Sequence, residues 1–151
     1  IHPDIMTLAK GIAGGLPLSA VVVSKEVSSQ IKVGDHASTF GGGPVPCAAA
    51  VATMEVLLGK GFLAEVGKKE QAIREKLKDN PRVIKIRGKG LLLGIELDNI
   101  YPNIVKDCLS EGLIISISSD EKVLRIMPPL IINKPELDQF AEIFLRVLAG
   151  Q

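Results

Sequence analysis

Apolar and polar positions alternate in short blocks along this chain. Ile5, Met6 and Leu8 form a brief apolar run that ends at Lys10 and then meets Gly11, Gly14 and Gly15. Such a run reads as a strand, and the glycines as a bend that crowds close to a neighbour or takes positive φ. Residues 18–24 (LSAVVVS) are β-branched and predict a second strand. Ser24 is a candidate N-cap for a short helix with Val27 and Ile31 on one face, broken at Gly34-Asp35-His36. Residues 46–58 (PCAAAVATMEVLL) are rich in alanine and almost free of charge, which predicts a buried helix with Pro46 in its first turn.

Beyond Gly59 and Gly61 the pattern changes. Residues 62–78 place Phe62, Val66, Ile73 and Leu77 near one face of an amphipathic helix that Asn80-Pro81 ends. Residues 83–86 and 91–97 predict strands joined through Arg87-Gly88-Lys89-Gly90, with Arg87 a structural turn residue. Residues 101–110 predict a helix with Ile104, Val105, Cys108 and Leu109 inward. Residues 113–116 and 123–127 predict further strands, turned at Ser118-Ser119-Asp120-Glu121 and stopped by Pro128-Pro129. Asn133 caps a last helix whose stripe is Leu137, Phe140, Ile143, Phe144 and Val147. The organisation expected is two lobes meeting at Gly59–Gly61, residues 1–61 and 62–151. The second is an α+β lobe with helices covering an antiparallel sheet.

Composition narrows the function. Apolar residues make up 46% of the 151 and aromatics only 3%, so any core is aliphatic. The formal charge is +1, from 18 basic and 17 acidic residues, which argues against a nucleic-acid partner. Cys47 and Cys108 are too few for a disulfide framework or a zinc site, and a reducing, cytoplasmic setting fits. No apolar run approaches the ~20 residues of a membrane span, so no membrane partner is expected. His2 and His36 lack carboxylates at metal-ligand spacing, and no metal is expected. Gly59-Lys60-Gly61 and Gly88-Lys89-Gly90 lack the serine or threonine of a P-loop.

Three sites could carry chemistry. Lys10 is the only charge between Asp4 and Lys25. An amine in an apolar, glycine-lined bend loses hydration, its pKa falls, and it becomes able to form a Schiff base; the alternative is a snorkelling surface lysine. Ser38-Thr39-Phe40-Gly41-Gly42-Gly43-Pro44 reads either as an anion-binding loop of hydroxyls and N–H groups before a helix, or as an ordinary Gly-Pro turn. Arg125, at a strand end pinned by Pro128-Pro129, offers a planar fork to a carboxylate or forms a surface ion pair.

The segment from Pro3 to Gly11 (PDIMTLAKG) with Gly14-Gly15-Leu16-Pro17 resembles the cofactor-lysine segment of the class III, ornithine-type aminotransferases. So do residues 36–42 (HASTFGG), 86–97 (IRGKGLLLGIEL) and 124–132 (LRIMPPLII), in the family's order and over nearly the whole chain. The resemblance implies an α/β chain of the fold type I transferases that use pyridoxal 5'-phosphate. Residues 1–61 would be the C-terminal part of the large cofactor-binding domain, and residues 62–151 the small α+β domain.

The same resemblance implies roles. Lys10 would hold the cofactor covalently and move the substrate proton. Thr39 would bind the cofactor phosphate of the neighbouring subunit in a homodimer with shared active sites. Ser38 would touch substrate or the same phosphate, and Arg125 would bind the carboxylate of 2-oxoglutarate or glutamate. The amine donor would be an acylated ornithine, with ornithine, 4-aminobutyrate or a lysine-pathway intermediate as alternatives. Gly43 departs from the family, where asparagine is usual before the proline. The chain opens on Ile in a strand-like run and reads as part of a longer protein. Missing from it would be the phosphate loop, the stacking aromatic and the aspartate at the pyridine nitrogen. The piece alone is therefore expected to be inactive, and a non-catalytic interaction module is the competing reading.

Overall fold

The computed structural model describes residues 2–151 and divides into two compact units, one ending at Phe62 and one running Leu63–Gln151. In the first, β1 (Ile5–Leu8) and β2 (Ala20–Val23) pair antiparallel from Ile5 opposite Val23 to Leu8 opposite Ala20. The connection contains a 3₁₀ turn, Lys10–Ala13. Helix α1 (Lys25–Ser28) begins where expected, the Ser24 hydroxyl accepting from the Val27 N–H, but it ends before Ile31. Helix α2 (Pro44–Leu57) starts two residues earlier than the sequence suggested and has no buried residue.

That exposure corrects the expectation of a buried helix. Val51 is 60% exposed, and among the described residues the only core side chain before Leu63 is Ala13. An alanine-rich sequence favours a helix for reasons internal to its backbone, whereas burial needs a partner surface that residues 2–62 do not contain.

The second unit holds the rest of the core. Helix α3 (Phe62–Leu77) buries Val66, Ile73 and Leu77, and α5 (Lys134–Ala149) buries Leu137, Ala141, Ile143, Phe144, Val147 and Leu148. Four antiparallel strands stand in the order β3 (Val83–Lys89), β4 (Leu92–Leu97), β6 (Val123–Ile126), β5 (Ser116–Ile117). Asn133 and Glu136 complete a capping box at the start of α5. Helix α4 (Ile104–Ser110) buries Ile104 and Cys108 but leaves Leu109 59% exposed, against expectation, because so short a helix presents only one i, i+4 pair to the core. Burial, with the nearby Asp107 charge adding to it, pushes the Cys108 thiol up to about 11, which suits a core residue.

Arg87 lies inside β3 and not in the turn. The hairpin turn is shorter than expected because Arg74 of α3 clamps β3 far along its length, donating to the carbonyls of Ile86 (2.6 Å) and Gly88 (3.0 Å). Glu70 completes the clamp, accepting from Arg74 and from the Gly90 N–H at 2.6 Å. Partial burial raises the Glu70 carboxyl, but the Arg74 guanidinium and the Gly90 N–H outweigh it and hold the group below its ordinary range. A lowered carboxyl pKa stabilises the fold above the unfolded value, and that contribution is lost as pH falls through the folded one. Glu70→Gln should therefore flatten the loss of Tm as pH falls below the ordinary carboxylate range, relative to the parent. Unchanged acid sensitivity would show that the clamp does not act through this charge.

Candidate active site

Lys10 opens the 3₁₀ turn with φ +57°, the only non-glycine residue at positive φ among the described residues. A side chain in this left-handed region costs of order 1–3 kcal/mol, and such strain gathers at functional positions. The surroundings force the conformation. The β1–β2 pairing fixes one end of the turn, Ala13 is buried at the other, and Gly14 follows with φ +61°. A Cβ on Gly14 would lie 3.3 Å from Thr53 Oγ1, so the turn is seated closely on α2. The side chain of Lys10 is exposed and takes part in none of the ion pairs among the described residues. Dehydration by an apolar bend, expected from the sequence, is not provided by this chain: β1, β2 and the turn supply a hairpin, not a pocket.

Ser38 and Thr39 sit in the exposed loop before α2. Two tight turns shape it, the Gly41 N–H donating to Ser38 O at 3.2 Å and the Gly43 N–H to Phe40 O at 3.3 Å. The N–H groups of Thr39, Phe40 and Gly42 have no backbone acceptor. Gly42 has φ +70°, and this succession of conformations turns neighbouring N–H groups toward one side. The helix end adds less than the sequence suggested. Pro44 and Pro46 lack N–H groups, and Cys47 N–H is used by Gly43 O at 3.2 Å. The donors open to an anion are thus loop N–H groups, the Val45 N–H of the first helical turn and two hydroxyls. This donor set fits a phosphate such as that of pyridoxal phosphate, and the unpaired Lys10 amine separately fits an aldehyde.

Arg125 belongs to the second unit. Leu124 and Ile126 on either side of it are buried, so the pleat turns Arg125 to the outer face. Its Nε donates to Ser116 Oγ at 3.3 Å, and among the described residues no carboxylate pairs with it. Sequence reading missed its row on the sheet: Arg87 faces Gly94, Gly94 faces Arg125, and Arg125 faces Ser116. The inward alternation of Leu91, Leu93, Ile95 and Leu97 was the available signal, since it puts Gly94 and Glu96 outward. A separate cavity of about 370 Å³, lined by aliphatic and aromatic residues including Ile73, Leu113, Pro128 and Phe140, holds none of the expected site residues.

Comparison with known proteins gives these features a class. A solved acetylornithine aminotransferase from Elizabethkingia anophelis superposes with TM-score 0.87 at 28% identity, over 100% of this chain and 42% of that one. An ornithine aminotransferase from Toxoplasma gondii, whose structure has pyridoxal phosphate at partial occupancy in its active site, gives 0.87 at 32% identity, covering 99% and 37%. The chain thus carries part of the fold type I architecture of pyridoxal-phosphate-dependent transferases. The profile of the family "Aminotransferase class-III" matches residues 1–148, and the chain belongs to the class III aminotransferases, a family dependent on pyridoxal phosphate. It is 47% identical over 152 residues to the mitochondrial acetylornithine aminotransferase of Alnus glutinosa, covering 98% of this chain and 34% of that protein. The chain therefore spans about a third of that relative's length.

Proposed function

We propose that the protein containing this chain transfers the terminal amine of N-acetylornithine to 2-oxoglutarate, a step of arginine biosynthesis. The observation that carries this reading is the 47% identity to an acetylornithine aminotransferase across nearly the whole chain. In this reading residues 1–61 complete the large cofactor-binding domain and residues 62–151 form the small domain. The protein would act in the cytoplasm as a homodimer with shared active sites, although the Alnus relative is named as mitochondrial. A second reading, ornithine as donor, draws on the similarity to ornithine aminotransferase of Toxoplasma gondii. Initial rates of the full-length protein with N-acetylornithine, ornithine and 4-aminobutyrate decide between them. Faster turnover of ornithine than of N-acetylornithine would overturn the first.

Pyridoxal phosphate, when bound, supplies the electron sink that makes the substrate C–H acidic. Lys10 Nζ would hold the cofactor, and the same amine would serve as the base for the substrate proton, placed by that attachment. Thr39 Oγ1 and the loop N–H groups would donate to the phosphate of the cofactor held by the neighbouring subunit, and Ser38 Oγ would touch substrate or the same phosphate. The Arg125 guanidinium donates to the carboxylate of 2-oxoglutarate or glutamate. The isolated 151 residues lack the groups that would stack on the cofactor ring and hold its nitrogen, so they should be inactive alone.

Arg125→Ala in the full-length protein should lower kcat/KM for 2-oxoglutarate by roughly ten- to a hundredfold, the worth of a charge-assisted bond of about 1.5–3 kcal/mol. Cofactor retention should be unchanged. Thr39→Ala should do the reverse, loosening cofactor on dialysis more than it changes the affinity for 2-oxoglutarate. If Arg125→Ala leaves that kcat/KM within twofold, the carboxylate role is wrong.

A further inference from the structure

Strand β5 is only Ser116–Ile117, yet its register sets a hydroxyl against the Arg125 side chain. Ile117 pairs with the buried Leu124, and Ser116 pairs with Arg125 on the outer face. Directly opposite residues of an antiparallel pair project on the same face, with their Cβ atoms close together. On the other side of Arg125 the row holds Gly94, which brings no side chain. The half-buried Ser116 hydroxyl makes two contacts with Arg125. It donates to the Arg125 carbonyl at 3.4 Å and accepts from Nε at 3.3 Å. One hydroxyl thus ties the base of the guanidinium to the main chain of the same residue.

A guanidinium can meet a carboxylate with two parallel N–H bonds along either of two edges, Nε–Nη or Nη1–Nη2. The Nε–H of Arg125 is spent on Ser116, which leaves the Nη1–Nη2 end for bidentate contact. From this geometry we infer that Ser116 is a positioning residue for keto-acid binding: its hydroxyl holds Nε and presents the Nη1–Nη2 end of Arg125 to the carboxylate. The inference rests on the carboxylate role proposed above for Arg125. It concerns the direction of the fork, and it holds for any carboxylate, of substrate or of the protein, that meets that end. A long side chain already held in its binding direction loses less freedom when the ligand arrives, and that difference appears as affinity. Ser116 does not touch substrate in this arrangement; its effect passes through Arg125.

The test uses the full-length protein. Ser116→Ala should raise KM for 2-oxoglutarate about fivefold, the equilibrium worth of one net hydrogen bond. The kcat and the KM of the amine donor should stay within about twofold, and the Kd of glutarate, by calorimetry, should rise in parallel. Ser116→Thr and Ser116→Val share a shape and differ in the hydroxyl. The first should keep both constants within about twofold of the parent, and the second should reproduce the alanine effect. That pair carries the test should Ser116→Ala fold poorly. In an Arg125→Ala background, Ser116→Ala should change the glutarate Kd by less than about twofold, because the hydroxyl then has no fork to hold. A merely structural hydroxyl would weaken binding in both backgrounds. If Arg125→Ala alone leaves the glutarate Kd unchanged, the carboxylate role and this inference fall together. If Arg125→Ala weakens binding while Ser116→Ala and Ser116→Val do not, or if the Ser116→Ala effect persists without Arg125, this inference alone is overturned.

Discussion

Lys10→Ala should abolish amino transfer in the full-length protein, with a loss of at least about 10²–10⁴-fold, since one amine both anchors the cofactor and moves the proton. The yellow colour of the parent should vanish, and borohydride should no longer fix pyridoxal phosphate to the tryptic peptide bearing residue 10. Attachment to another lysine in the parent, or turnover by Lys10→Ala within tenfold of it, would show that Lys10 is not the cofactor lysine. The φ of +57° adds a further expectation. Glycine takes this conformation without the penalty of a Cβ, whereas alanine keeps it, so Lys10→Gly should be the more stable of the two inactive variants by about 1 kcal/mol. Equal Tm values would mean that the strain is not stored at this residue.

Phe144→Ala should destabilise the Leu63–Gln151 unit by about 3–5 kcal/mol, the usual cost of emptying a fully buried aromatic site. Phe144 is wholly buried on α5, and its ring stacks on Phe140 with centroids 5.8 Å apart. A loss of that size is a large share of the 5–15 kcal/mol that holds a typical domain. Urea unfolding should show a lower midpoint with an unchanged slope. Phe40, 90% exposed in the loop before α2, is the control: Phe40→Ala should change stability by no more than about 0.5 kcal/mol. A Phe144→Ala effect below about 1 kcal/mol would mean that α5 is not part of the core.

Much of this was legible in the sequence because it depends on neighbours along the chain. The Ser24 and Asn133 caps, the strand at Val21–Val23, the amphipathic stripe of α3 and the sharp stop at Pro128-Pro129 are local preferences that the fold leaves intact. The order of the motifs was enough to bring forward Lys10, Ser38, Thr39 and Arg125. What the sequence could not determine depends on partners distant in the chain. The alanine-rich α2 read as buried, yet burial requires a second surface that residues 2–62 lack. Arg87 read as a turn residue because Gly88 and Gly90 flank it; the Arg74–Glu70 clamp on α3 extends β3 through it instead. Dehydration of Lys10 is a property of an enclosing pocket and cannot be read from a glycine-rich bend. The row Arg87–Gly94–Arg125–Ser116 exists only through strand order and register, which place β6 between β4 and β5. Periodicity tells which face a side chain takes, but long-range pairing decides which charge it meets there.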